Sequence, residues 1–300
     1  MDPYSAEGEL VNIHSAFHSG QYQTVLSFDT SSFSPSNSIP AQILKLRAHI
    51  ALAQYDDVIS AASSQSSIPD FAAAKTLATY LKDPVGNGEK AVEQAKRLAG
   101  ESGDNLSVQL LCGSVLANAG LLEEALALLS KHQGTLDAVA MIVQIHLQQN
   151  RVDLALKETQ QARKWAQDSL LVNISESWVG LREGGEKYQQ AFYVFEELAQ
   201  APATQAIQSL LGQAVSELHL GRLPEAEAAL QQAMALDPKS ADVIANTIVL
   251  NTILGKDTTE LRKELQSVQP QHPFLADVEA KKDVFKQASA KYTPKFEAQA

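Results

Sequence analysis

A single cysteine in 300 residues, Cys112, excludes an internal disulfide and points to a reducing compartment. Aromatic residues are scarce at 6%, and Val and Ile never alternate with polar residues in runs, so nothing reads as a strand. Long apolar runs are missing too. The uncharged stretch 105–122 carries Gln109, Gly113, Asn118 and Gly120 and is too polar to span a bilayer. The opening MDPYSAEGEL has neither the basic nor the apolar region of a secretory signal, so a cytoplasmic protein is expected. Basic clusters are absent, and 24 Lys and Arg against 35 Asp and Glu leave a net charge of −11. Such a chain is a poor match for nucleic acid or anionic lipid. No nucleophile–base pattern or nucleotide fingerprint appears. Gly184–Gly185 follows no strand and precedes no Gly-Lys-Ser/Thr. These absences predict no enzyme, no cofactor and no small-molecule substrate.

What is present is helix. Ala, Leu, Gln and Glu are abundant. The stretch Leu210 to Pro238 reads as one helix–turn–helix: an apolar run through Leu210, Leu211, Ala214, Val215 and Leu218, a turn at Gly221, and a second run through Ala226, Leu230, Ala233 and Leu236. Asp237–Pro238 ends it. Ala214, Ala226 and Ala233 stand where the helices cross, and small residues let helix axes come to roughly 8–10 Å. This is the grammar of the tetratricopeptide repeat. Taking Ala226 as reference, the same turn-then-small pattern recurs at Val25, Val58, Ala91, Ala125, Ala155, Ala191 and near position 260. The spacings are 33, 33, 34, 30, 36, 35 and 34 residues, centred on the 34 of that repeat. An all-α α-solenoid of about eight hairpins follows, right-handed as the resemblance to tetratricopeptide arrays implies, with Ala125, Ala155, Ala191, Ala214, Ala226 and Ala233 packing the repeats. A flexible terminus over 1–9, one solenoid domain over 10–270 that is less regular in 10–100, and a capping helix with a frayed tail over 271–300 complete the expected layout. The Ser-rich segment from Ser27 to Pro40 and the segment Ser63 to Pro69 read as loops. Asp83 to Gly88 reads as a distorted turn.

Candidate chemistry is thin. His14 and His18, four apart, share a helix face, but no cysteine or nearby carboxylate completes a zinc site, so both are read as packing residues and no metal is expected. His49, His132, His146 and His219 fall singly. Asp56–Asp57 and Glu123–Glu124 open second helices, where acids complement the helix dipole. Cys112, beside Leu111 and Gly113, reads as an inert buried thiol. Trp165 and Trp178 suit core or interface. The remaining resource is the groove that first helices line in tetratricopeptide arrays, which the resemblance to that repeat implies here. Its expected lining is Leu110, Ser114 and Ala117, then Leu211, Val215, Leu218 and His219, then Ala245, Val249 and Ile253. Repeat domains that capture acidic peptides present Lys and Asn at such positions, and these residues do not.

SWVGLREGGEKYQQAFYVFEEL (Ser177 to Leu198), Leu211 to Pro238, NTIVLNTILGK (Asn246 to Lys256) and His272–Pro273–Phe274 together resemble the epsilon subunit of coatomer. So do IHSAFHSGQYQTVL (Ile13 to Leu26) and MIVQIHLQQNRVDLALKE (Met141 to Glu158). The resemblance implies a non-catalytic subunit of the COPI vesicle coat, in Golgi-to-ER and intra-Golgi transport. It implies that the groove binds and stabilises the C-terminal region of the coatomer alpha subunit within a heptamer. Attachment to Golgi membranes and vesicles would then be peripheral, through the coat. The alternative is a general scaffold or adaptor regulating an enzyme or chaperone.

Overall fold

The structure is a computed structural model, and it describes residues 8–202 and 204–292. The first seven residues of the expected flexible terminus and positions 293–300 of the expected frayed tail lie outside the described residues. Seventeen helices and no strand occur among the described residues. They run as eight hairpins: α1 Val11–His18 with α2 Tyr22–Ser27, α3 Pro35–Ala51 with α4 Tyr55–Ser63, α5 Pro69–Lys82 with α6 Gly88–Ser102, and α7 Leu106–Asn118 with α8 Leu122–Leu129. The series continues with α9 Leu136–Gln148 and α10 Val152–Arg163, α11 Leu170–Glu183 and α12 Lys187–Gln200, α13 Ile207–His219 and α14 Leu223–Leu236, then α15 Ala241–Ile253 and α16 Thr259–Val268. A last helix, α17 Pro273–Ser289, follows.

The turn inside each hairpin explains the repeat. At Gly20, Gly120, Gly221 and Gly255 the backbone enters the left-handed region, with φ between +68° and +78°. Ala53 and Asn150 take the same conformation at the corresponding place, at +56° and +57°. In all six, the next residue donates its N–H back to a carbonyl five residues earlier, as Leu121 does to Leu116 and Arg222 to Glu217, both at 2.9 Å. This closes the first helix and turns the chain in one step. The second helix then buries its small or branched residue: Val25, Val58, Ala91, Ala125, Ala155, Ala191 and Ala226 are all in the core, as are Ala214 and Ala233. The eighth hairpin differs. Leu265, rather than a residue near 260, is what α16 buries. At Asp83 to Gly88 the turn is built differently, with the Asp83 carboxylate accepting from Gly86 N at 2.8 Å and from Asn87 Nδ2 at 3.1 Å.

One expected loop is helical. The Ser-rich segment ends at Ser34, and α3 already starts at Pro35, carrying Pro40 inside it. Proline breaks an interior helical hydrogen bond, so a local reading places the helix after it. Tertiary contacts override that preference: Glu9 Oε2 accepts from Ser34 N and Oγ, both at 2.9 Å, and from Asn37 Nδ2 at 2.8 Å. Those bonds hold the first turn of α3 and draw the Glu9 carboxyl below its usual value.

Two compact units divide the chain, residues 1–209 and 210–300. In the first, the main core joins α3 through α9, with Phe71, Leu111, Val115, Leu116 and Leu129 among its buried members. In the second, Ile244, Ala245, Ile248 and Leu265 form a core, and Phe274 and Leu275 at the start of α17 pack against it. The His–Pro–Phe motif has a structural job here. His272 caps α17, accepting from Phe274 N at 3.2 Å, and its Nε2 lies 3.0 Å from Asp242 Oδ1 at the start of α15. Beyond that anchor α17 is open, with Phe285 exposed.

Two outcomes follow. Burial pushes the Cys112 thiol up to about 12, so against a free thiol near 8.5 its reactive form at pH 8 is depleted by roughly three orders of magnitude. A disulfide reagent should leave the native chain untouched and modify it only in denaturant. Ala53→Gly should stabilise by about 1 kcal/mol in urea titrations, because glycine adopts the left-handed turn without a Cβ penalty.

Candidate functional site

The inner helices of the first unit stack in order, α3 on α5, α5 on α7, α7 on α9 and α9 on α11. The first hairpin departs from simple succession, for α1 touches α11 as well as α3. It thereby crosses from the second hairpin to the sixth.

Asp137 is where this crossing is fastened. The residue opens α9 and is only 7% exposed. His14 Nε2 lies 2.9 Å from its Oδ2, and His18 Nε2 lies 3.2 Å from its Oδ1. Arg47 Nη1, from α3, donates to Oδ1 at 2.9 Å. Arg47 is itself positioned by the Phe17 ring, whose centroid is 4.4 Å from the guanidinium carbon. Burial alone would raise the Asp137 carboxyl. Hydrogen bonds from both histidines and the Arg47 charge outweigh it and hold the group well below the usual carboxylate range. Burial also pushes the His18 imidazole down, against the pull of Asp137. A carboxylate taken out of water needs such partners, and removing one leaves an uncompensated charge.

A second seam lies at the turn of the first hairpin. Gln21 Nε2 donates to the Gln205 carbonyl at 2.6 Å. A Cβ at Gly20 would come within 2.9 Å of Ala206 Cβ and 2.7 Å of Gln208 Oε1. Glycine is therefore required there twice, for its left-handed backbone and for the close approach.

An apolar cavity of about 260 Å³ lies between α1, α3, α5, α7 and α9, lined among others by Leu10, Ile43, Leu106, Leu110 and Leu111. The expected groove residues fall in different places. Leu110 borders this cavity and is buried, and Ala245 is buried in the second unit's core. Ala117 packs against the main core, and Ser114 Oγ donates within its own helix to the Leu110 carbonyl while facing Met141. Leu211, Val215 and Leu218 are half-buried along one face of α13, with His219 exposed. On α15, Val249 is half-buried and Ile253 is 56% exposed. Trp165 is 54% exposed, which leaves its ring on the surface, whereas Trp178 is half-buried.

Sequence reasoning missed Asp137 and Arg47. Asp137 is a first-turn acid like Glu123 and Glu124, so the local pattern gives it a dipole role and no more. Its three partners lie between 90 and 123 residues away. Among the described residues no helix is long and apolar enough to cross a membrane.

Stacked helical hairpins with a buried small residue after each turn define a tetratricopeptide-type repeat protein. Solved structures agree on the fold. The chain is similar to the crystal structure of the APC/C hetero-tetramer Cut9–Hcn1 (TM-score 0.59, 13% identity, 92% of this chain and 54% of that one). It is also similar to a tetratricopeptide repeat protein from Parabacteroides merdae (TM-score 0.55, 11% identity, 86% and 93%). The sequence profile of the coatomer epsilon subunit matches residues 6–293. Coatomer subunit epsilon-2 of Arabidopsis thaliana is 30% identical over 286 residues, covering 93% of this chain and 95% of that protein. A probable coatomer subunit epsilon of Schizosaccharomyces pombe is 30% identical over 265 residues, covering 88% and 87%. The chain belongs to the coatomer epsilon subunit family, and so to the components of the COPI coat.

Arg47→Met should test the Asp137 fastening. A loss of about 3 kcal/mol is expected, read by urea denaturation, with faster amide exchange in α1 than in α7. A loss under about 1 kcal/mol would show that the histidines alone suffice.

Proposed function

We propose that this chain is a non-catalytic COPI subunit that binds and stabilises the C-terminal region of the coatomer alpha subunit, in retrograde Golgi-to-ER and intra-Golgi transport. Family membership supports the setting. The single observation that supports the binding surface is an apolar face in the second unit that its own packing covers only in part. Leu211, Val215 and Leu218 sit at i, i+4 and i+7 on α13, and Val249 and Ile253 at i, i+4 on α15, so each set shares one face of its helix. Half-buried and exposed aliphatic side chains in that spacing are what an interface core is made of.

A permanent partner of this kind covers roughly 2,000 Å² or more. The hairpins present a largely preformed surface, which lowers the ordering cost of association. The partner binds only the folded repeats, so the stability of each is linked to the other by mass action. The chain would then reach Golgi membranes and vesicles as a cytoplasmic, peripheral component, through the assembled coat.

Co-purification with a C-terminal fragment of the coatomer alpha subunit checks the proposal. Leu211→Asp, Val215→Asp and Leu218→Asp together should abolish it, with helicity by circular dichroism retained. Capture that survives the triple change would move the interface elsewhere on the chain. No capture of the fragment by the unaltered chain would remove the partner assignment itself.

A further inference from the structure

We propose that His14, His18 and Asp137 form a zinc-class divalent metal site that pins the first hairpin to the fifth. The inference is independent of the partner proposed above. It rests on one donor atom from each of the three residues, all lying within 4.8 Å of one another. His14 Nε2 is 2.9 Å from Asp137 Oδ2, His18 Nε2 is 3.2 Å from Asp137 Oδ1, and the two Nε2 atoms are 3.2 Å apart. In a tetrahedral zinc site with bonds of about 2.0–2.1 Å, neighbouring donor atoms stand roughly 3.3 Å apart. The two edges that share His14 Nε2, 2.9 Å to Asp137 Oδ2 and 3.2 Å to His18 Nε2, lie within a few tenths of an ångström of that spacing, while His18 Nε2 meets the carboxylate at its other oxygen, 3.2 Å away.

Protons alone satisfy this triangle poorly. Each imidazole Nε2 carries either one proton or one lone pair. If both are protonated, both donate to Asp137, but two N–H groups face each other across 3.2 Å. If one is bare, that contact becomes a hydrogen bond, and the bare lone pair then faces the carboxylate. Either way one edge is unfavourable. A divalent cation would take a lone pair from each imidazole and from one carboxylate oxygen, and the unfavourable contact disappears.

The surroundings suit a metal held by two imidazoles and a carboxylate. Arg47 Nη1 holds Asp137 Oδ1, orienting the carboxylate and leaving Oδ2 to ligate, as partners in the layer behind a metal's ligands do. Its charge also opposes the cation, which places the affinity below that of a thiolate-rich structural site. A fourth ligand, water, has a route. A cavity of about 380 Å³ borders His14 and His18 beside Leu136 and Leu170, and the His14 side chain is 41% exposed. The i, i+4 spacing on α1 aims both rings to one side, and α9 supplies the third ligand from the far side of the inner surface. Metal here would act as a clasp on the first unit.

The full chain, stripped with a chelator, is titrated with Co²⁺ and then Zn²⁺. One equivalent of Co²⁺ should give visible d–d absorption that Zn²⁺ abolishes. Affinity should fall at least tenfold in His14→Gln and in Asp137→Asn and be unchanged in His49→Gln. In the unaltered chain, zinc should protect His14 from acylation by diethyl pyrocarbonate, mapped by mass spectrometry. That readout stands even where a variant folds poorly. Absence of the d–d band, an affinity indifferent to His14→Gln, or His14 acylation unaffected by zinc would each overturn the site.

Discussion

Everything in this fold depends on how closely two helices can approach across a short turn. In six of the eight hairpins a left-handed residue after the first helix reverses the chain at once, and the second helix must then lie against the first with little room for a side chain at the crossing. Ala or Val fills that position in seven hairpins and is buried in each. Close packing along both helices then brings dispersion contacts that no single hairpin supplies. Stacking of one hairpin on the next buries what each leaves exposed, and so the architecture is additive.

That additivity is why so much was legible in advance. The turn residue and the small residue five places on are local, and their beat of about 34 marks the repeat whatever the other positions hold. Where the beat is read from weaker residues the structure still obeys it: Ala53 and Asn150 take up the glycine conformation, because the 6→1 hydrogen bond and the packing of the next helix outweigh a modest backbone cost. The helix through Pro40 was hidden for the opposite reason. Its start is held by Glu9, a residue 25 positions earlier, and nothing in the local sequence announces such a contact. The groove was legible only as a list of helix faces. Which of those faces are used up on neighbouring repeats, as at Leu110 and Ala245, depends on stacking geometry that spacing does not encode.

The same distinction separates the two faces of α1. Ile13 joins a small core with Val25, Leu44 and Ala48, as any amphipathic helix would. His14 and His18 look the other way, to a carboxylate contributed by the fifth hairpin. A histidine pair is easy to find in a sequence. A single acid whose burial depends on both of them and on an arginine is not.

The contact between Gln21 and the Gln205 carbonyl has a consequence for how the chain is made. Hairpins that touch only their neighbours can settle one at a time as they leave the ribosome. The first hairpin cannot. Its docking surface includes Asp137 and Ala206, which are synthesised roughly ten seconds or more after it at ordinary rates of elongation. During that interval α1 can pack only through its Ile13 side, against Val25, Leu44 and Ala48, while the face that carries His14 and His18 waits for a carboxylate not yet made.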